Sequence, residues 1–419
     1  MTASPLAFDF SRHCPHVACG ETIPAAQARV CPRCGHDLIH CPACRATNRL
    51  LSAHCRACGQ NIASESQPAQ AGIRSAEVRF PPIQSIEPPR LAARLGASLT
   101  AQMTAAGGVV TVPAGDSSIA ILSESSQRLI ARLPLPDVVA VTPAIHRGML
   151  FAATGKHILA FDLARHLSQM SRAEISPAWT IECGTVIQPL LTDSERIYLS
   201  SRDGHRTMID ALWQKSGARA WFSPVIIDAL QTSPPLLVKN LLIVIALSGD
   251  VSVIDSESGQ ELGKFSLGRR LSNHIQPYVA GTRAILVDAD NNVCEIALSE
   301  KGFTAHLIYT HPARILTVAA SEEFITIGHL SGLTLLNSRG NALWSSDLME
   351  SISVAPLIAS NSIFALDDSG TGLLFDPIRS TPSTRVRLIG GEILAPPILT
   401  RASIAAANLA GEVAIAAWR

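Results

Sequence analysis

Aromatic residues are scarce in this 419-residue chain, at 5% against 47% for all hydrophobic residues. A large core is possible, but it must be assembled from Ala, Val, Ile and Leu rather than around stacked rings. Net charge is lacking too. The 34 basic and 34 acidic residues cancel formally, so no chain-wide field draws the protein to nucleic acid or to an anionic membrane. No apolar run approaches the roughly 20 residues of a membrane helix; the longest is LLIVIAL at 241–247. The opening MTASPLAFDF lacks the basic flank and long apolar segment of a secretory signal. The expected compartment is therefore the cytoplasm, with no membrane partner. In that reducing setting, clustered cysteines more often hold metal than form disulfides.

Cysteine is not scarce, and eight of the ten fall between residues 14 and 58. They form four couples: Cys14 with Cys19, Cys31 with Cys34, Cys41 with Cys44, and Cys55 with Cys58. Two thiolates two residues apart can face one ion from a tight turn, and two such knuckles complete a tetrahedral four-sulfur shell. Gly20, Gly35 and Gly59 follow second cysteines, where positive φ suits the turn. Pro15, Pro32 and Pro42 follow first cysteines, where a fixed φ shapes it. Chain order assigns Cys14, Cys19, Cys31 and Cys34 to one zinc and Cys41, Cys44, Cys55 and Cys58 to a second. The first couple is irregular, and His16 is the alternative ligand to Cys14. With eight thiolates for two ions no coordination position stays open, so both zincs are expected to be structural rather than catalytic.

Residues 13–62 resemble the double zinc ribbon family, whose pattern runs Cys-Pro-x-Cys and then Cys-x-x-Cys-Gly, twice. They depart from it in the longer first knuckle and in Arg45 where Gly usually follows Cys44. Arg33, Arg45 and Arg56 lie at the knuckle turns, where they can meet phosphate or an acidic partner. No aromatic stands between Cys14 and Cys58 for base stacking. A protein partner is the leading expectation, and nucleic acid read through the ribbons is the alternative.

After residue 62 the composition changes. Residues 63–90 read as a linker: ASESQPAQAG is small and polar, AEVRF at 76–80 is a candidate strand, and PPIQSIEPPR is Pro-rich and extended. From residue 91 to 419 a repeat emerges. Its anchors are Gln102, Pro143, Pro189, Pro235, Pro277, Val318, Pro356 and Pro397, spaced 38 to 46 residues apart. Each anchor is followed 12 to 15 residues later by a turn residue: Gly115, Gly155, Gly204, Gly249, Asn291, Gly332, Gly370 and Gly411. An Asp or Asn then closes a strand at Asp162, Asp210, Asp255, Asn337 and Asp376. These are expected to cap the next turn through local backbone bonds. A period near 42 with about four short strands per unit predicts a mainly β fold, a β-propeller. The C-terminal residues supply only three strands of a last blade. Borrowing 76–80 as its outer strand gives eight blades; seven is the alternative.

SGDVSVIDSESGQEL (248–262) and LSGLTLLNSRGNALW (330–344) resemble the blade motif of propellers whose repeat is named for pyrroloquinoline quinone, although Trp is kept in only some copies. The quinone enzymes of that group carry calcium-binding carboxylates and typically adjacent cysteines. Here Cys183 and Cys294 are far apart and read as small buried hydrophobes. No quinone is expected. The Asp288-to-Asn292 run lacks the Gly and Glu of a calcium loop and falls on a blade hairpin. Asp367 and Asp368 are neighbours in a turn and should diverge. No residue is assigned a catalytic role. The expected function is a non-enzymatic scaffold or adaptor carrying two tethered binding modules, and the resemblance implies a bacterial source.

Overall fold

The computed structural model describes residues 38–40, 46–49, 82–139, 141–163, 176–299, 302–348, 350–359, 362–393, 395–400 and 402–419. The chain divides into two compact units, Met1–Gln70 and Ala71–Arg419. Within the first, Leu38–His40 pairs antiparallel with Thr47–Arg49. The two strands bracket the Cys41–Cys44 couple in the sequence. All eight expected zinc ligands, His16 and the 76–80 strand lie outside the described residues.

A strand that is apolar at consecutive positions, such as Leu241–Ile245, must be covered on both faces. The second unit achieves this by stacking eight antiparallel sheets. Blade 4 is representative: Leu236–Val238 is innermost, followed outward by Leu241–Ile245, Asp250–Asp255 and Glu261–Ser266. The inner strands of the other blades start at Thr104, Ala144, Thr185, Tyr278, Ile315, Leu357 and Ile398. Blade 3 is irregular, its inner position being split between Thr185–Val186 and Leu191–Thr192.

Eight apolar clusters lie one at each junction between neighbouring blades. Val251 and Val253 of blade 4, for instance, meet Ala284 and Leu286 of blade 5. The decisive two are the last. Phe364 and Leu366 of blade 7 pack with Ile404 and Ala416 of blade 8. Val413 and Ile415 of blade 8 then pack with Val110 and Val112 of blade 1. The circle is closed, and it has eight blades rather than seven.

The closing strand differs from the sequence expectation. The outer strand of blade 8 is Arg90–Arg94, not 76–80, and it pairs with Glu412–Ala417 through Arg90↔Ile415 and Arg94↔Glu412. The Pro-rich stretch before it is no free connector. Ile83 and Ile86 are buried in the cluster between blades 7 and 8. The Ile83 amide donates to Ser362 Oγ at 2.9 Å, and Ile86 bridges Trp418. A Pro-rich segment with two isoleucines three apart satisfies its few amides and buries its apolar side chains here, which composition alone does not reveal.

The hairpin glycines have a reason beyond φ. Gly249, Gly332, Gly370 and Gly411 all have positive φ. In each, an added Cβ would run into a backbone carbonyl: that of Arg269, Ser346, Ile389 or Ala97 respectively. The next segment of chain passes directly against the turn. Asn291 takes the same role at φ 63° in blade 5, and Asn tolerates that region better than most side chains. The strand-ending residues cap as expected at Asp255, which accepts from the Ser258 amide at 2.8 Å, at Asn337 and at Asp376. Asp210 departs from the pattern, since its strand runs on to Trp213 and its carboxylate meets Arg219 at 2.8 Å.

The tryptophans that are kept join blades. Trp179 donates its ring N–H to Gln214 O, Trp221 to Ser256 O and Trp344 to Pro377 O. Each acceptor lies in the turn before the outer strand of the following blade. Gly217 and Gly259 lie flat against Trp179 and Trp221. Blade 4 has no such Trp, and its Phe265 stacks instead on Phe303 of blade 5, centroids 6.2 Å apart.

Candidate functional site

One face of the ring is built from two kinds of segment: the hairpin turns between second and third strands, and the loops that lead from one blade into the next. Isolated bridges tie them together, as Leu271↔Asp288 and Thr232↔Ala246 do. Leu271 also donates to Leu247 O, so the loop leading into blade 5 is fixed to the turns of blades 4 and 5.

Across this face runs a cleft of about 390 Å³, lined by three consecutive lead-in loops. Gln231 comes from the loop into blade 4, Arg270, Asn273 and His274 from the loop into blade 5, and Arg314 from the loop into blade 6. Among the described residues Asp288 is its sole acidic lining residue. That carboxylate is buried and fully engaged. Oδ1 accepts the Asp290 and Asn292 amides at 2.9 Å, and Oδ2 accepts Asn292 Nδ2 at 2.8 Å and Arg269 Nη1 at 3.3 Å. The Asp288-to-Asn292 run is thus a hairpin turn, as its sequence position suggests. Arg270, His274 and Arg314 are exposed and have no ion pair among the described residues.

A second hollow, of about 290 Å³, lies on the other side of the loop into blade 6. Two buried histidines form its floor, His311 and His329, with ring centroids 4.6 Å apart. Both Nε2 atoms lie 3.2 Å from Thr334 Oγ1, which also meets Ser345 Oγ at 2.9 Å. One hydroxyl proton serves this hub. Burial first, and then the His311 ring, lower the pKa of His329, while Asp347 opposes them.

Neither cleft was marked by a motif. A signal does exist in the sequence. No Asp or Glu occurs between 262 and 287, or between 301 and 321. Those acid-free stretches supply Arg270, His274 and Arg314. Asp367 and Asp368 diverge as expected, the first accepting the Ser369 and Thr371 amides and the second the hydroxyls of Ser351 and Ser353. Cys294 is buried and Cys183 half-buried; burial, their largest influence, pushes both thiols up to about 11, so neither is a ready nucleophile. Among the described residues no group of three or more His, Cys, Asp or Glu is placed to hold a metal ion, and no helix is long and apolar enough to cross a membrane.

The repeat that builds this face also matches a known family profile. The family described as "Outer membrane protein assembly factor BamB" matches residues 115–301 and 205–415, together well over half the chain. The chain belongs to the BamB family of repeat propellers. Among solved structures, BamB from Moraxella catarrhalis is 13% identical with a TM-score of 0.59, covering 78% of this chain and 99% of that one. Sqt1 of Saccharomyces cerevisiae is 14% identical with a TM-score of 0.64, covering 80% of this chain and 100% of that one. The computationally designed protein Ika8 is 13% identical with a TM-score of 0.64, at the same coverage. At such identities the likeness to these structures is one of fold. Comparison with curated proteins found no match. The BamB-family ring spans the blades, whereas the cysteine couples lie before the matched residues.

Proposed function

We propose that this protein is a non-enzymatic interaction scaffold of the bacterial cytoplasm, in which a ribbon module with two structural zincs and a BamB-family propeller each engage a protein surface. The observation that carries the reading is the open loop-built face, where three lead-in loops fixed to hairpin turns present exposed polar groups across several blades. Rigid loops on a closed ring keep their shape without a ligand, so little ordering entropy opposes association. The family description, outer membrane protein assembly factor, is consistent with a role in holding other proteins. Two modules on one chain raise the effective concentration of the second contact once the first is made. Cys14, Cys19, Cys31, Cys34, Cys41, Cys44, Cys55 and Cys58 are the residues that would hold the zincs.

Tagged full-length chain, cross-linked in cells of its native host and purified, tests this. One protein should be recovered repeatedly, with cross-links to both modules, and recovery should survive nuclease treatment. Recovery of nucleic acid that disappears on changing Arg33, Arg45 and Arg56 to Ala would instead favour the ribbons as nucleic-acid readers.

A further inference from the structure

The geometry points to a ligand class for the cleft on the loop face: we propose that Arg270, His274 and Arg314 bind an extended acidic peptide segment. This rests on the scaffold reading and names the chemistry of its partner. Three observations carry it. First, the two arginines are unneutralised. Asp288 is already held by Arg269 and by its own turn, so the cleft offers no internal acid to Arg270 or Arg314. Arg270 and Arg314, from the loops into blades 5 and 6, thus add positive charge to a lining whose one described acid is already engaged. Second, the lining is drawn from the loops into blades 4, 5 and 6, and groups contributed by three blades suit a chain with several side chains better than a single small anion. Third, its other polar groups are the Ser272 hydroxyl and side-chain amides. Gln231 and Asn273 carry both donors and acceptors, the pairing a peptide backbone needs. Leu247, Leu271 and Ile315 give the floor an apolar component for alternate side chains. Among the described residues no Phe, Trp or Tyr lines it, so they offer no base stacking, the usual means of holding a nucleic-acid strand.

The test is fluorescence anisotropy with the full chain and a fluorescein-labelled nonapeptide of alternating Glu and Leu. Its Gln–Leu counterpart and labelled ten-residue oligothymidine serve as competing probes. The Glu peptide should bind, weaken as NaCl rises, and lose at least about tenfold in affinity when Arg270→Glu and Arg314→Glu are combined. Arg385→Glu, on the exposed outer strand of blade 7, should leave it unchanged. Thermal melting of each variant establishes that it is folded. The proposal is overturned if the double variant melts normally and still binds the Glu peptide as wild type does. It is also overturned if the Gln peptide binds equally well, or if oligothymidine is the tighter Arg-dependent ligand. Continued cross-linking of a cellular partner by that double variant would sink the cleft assignment alone and leave the scaffold standing. Glu-peptide binding without any cellular partner would sink the scaffold and keep the cleft.

Discussion

His329 shows how a single buried ring makes stability depend on pH. Its folded pKa lies below the ordinary value of 6.5 because burial and the neighbouring His311 disfavour the charged form, with Asp347 acting the other way. The unfolded chain therefore binds the proton more readily. The contribution of neutral His329 is fully present above about pH 6.5 and is lost as pH falls below that toward the depressed folded value. The urea midpoint should fall between pH 7.5 and pH 5.5, and His329→Gln should flatten that dependence. An equal dependence in the variant would assign it to another group. Nothing in the sequence marked this pair. His311 lies in the loop leading into blade 6 and His329 lies 18 residues later, at the end of that blade's second strand, and only the fold of blade 6 back toward its lead-in loop brings their rings together. The hairpin glycines are the opposite case. Their period was visible in the letters, because each turn needs the same backbone conformation. The second demand on them, space for the carbonyl of a neighbouring segment, could not be read from a linear string.

At the level of strands, the repeat made the blades legible because each one solves the same problem of covering two apolar faces. The closing strand was misplaced by more than ten residues because a lone edge strand has no repeat to place it. AEVRF has the β-branched and aromatic residues that strands favour, whereas RLAAR has little strand propensity. It is held instead by the ladder to Glu412–Ala417 and by the Arg94–Glu412 pair at 3.2 Å. A chain beginning at Ala71 should melt cooperatively. One beginning at Gly96 loses that ladder together with Ile83 and Ile86, whose burial alone stabilises by about 3–6 kcal/mol. It should elute as aggregate in size-exclusion chromatography and show no sharp transition. A monomer with an unchanged melt would mean the ring does not need Arg90–Arg94. The zigzag of Trp179, Trp221 and Trp344 from blade to blade was only half readable. The residues stood out, but their acceptors lie in the following blade, at carbonyls that carry no sequence signature.

For the molecule as a whole, the cysteine couples make a claim that elemental analysis can settle. Reduced, metal-buffered protein should carry two zinc ions per chain. Removing them with a strong chelator should unfold the first unit while leaving the melt of the propeller nearly unchanged, because Ala71–Arg419 has its own eight cores. A zinc content near zero in reduced protein would remove the ribbon module from the proposal. The join between Arg94 and Glu412, 318 residues apart, also has a consequence for the newborn chain. At 5–20 residues per second, a ribosome needs roughly 15–60 s between making one partner and the other. Throughout that interval the first blade has no neighbour on one side, and Arg90–Arg94 is an unpaired edge open to wrong partners. Closure of the ring thus waits on Glu412–Ala417, and a chain stalled before that strand is the species a chaperone would most need to shield.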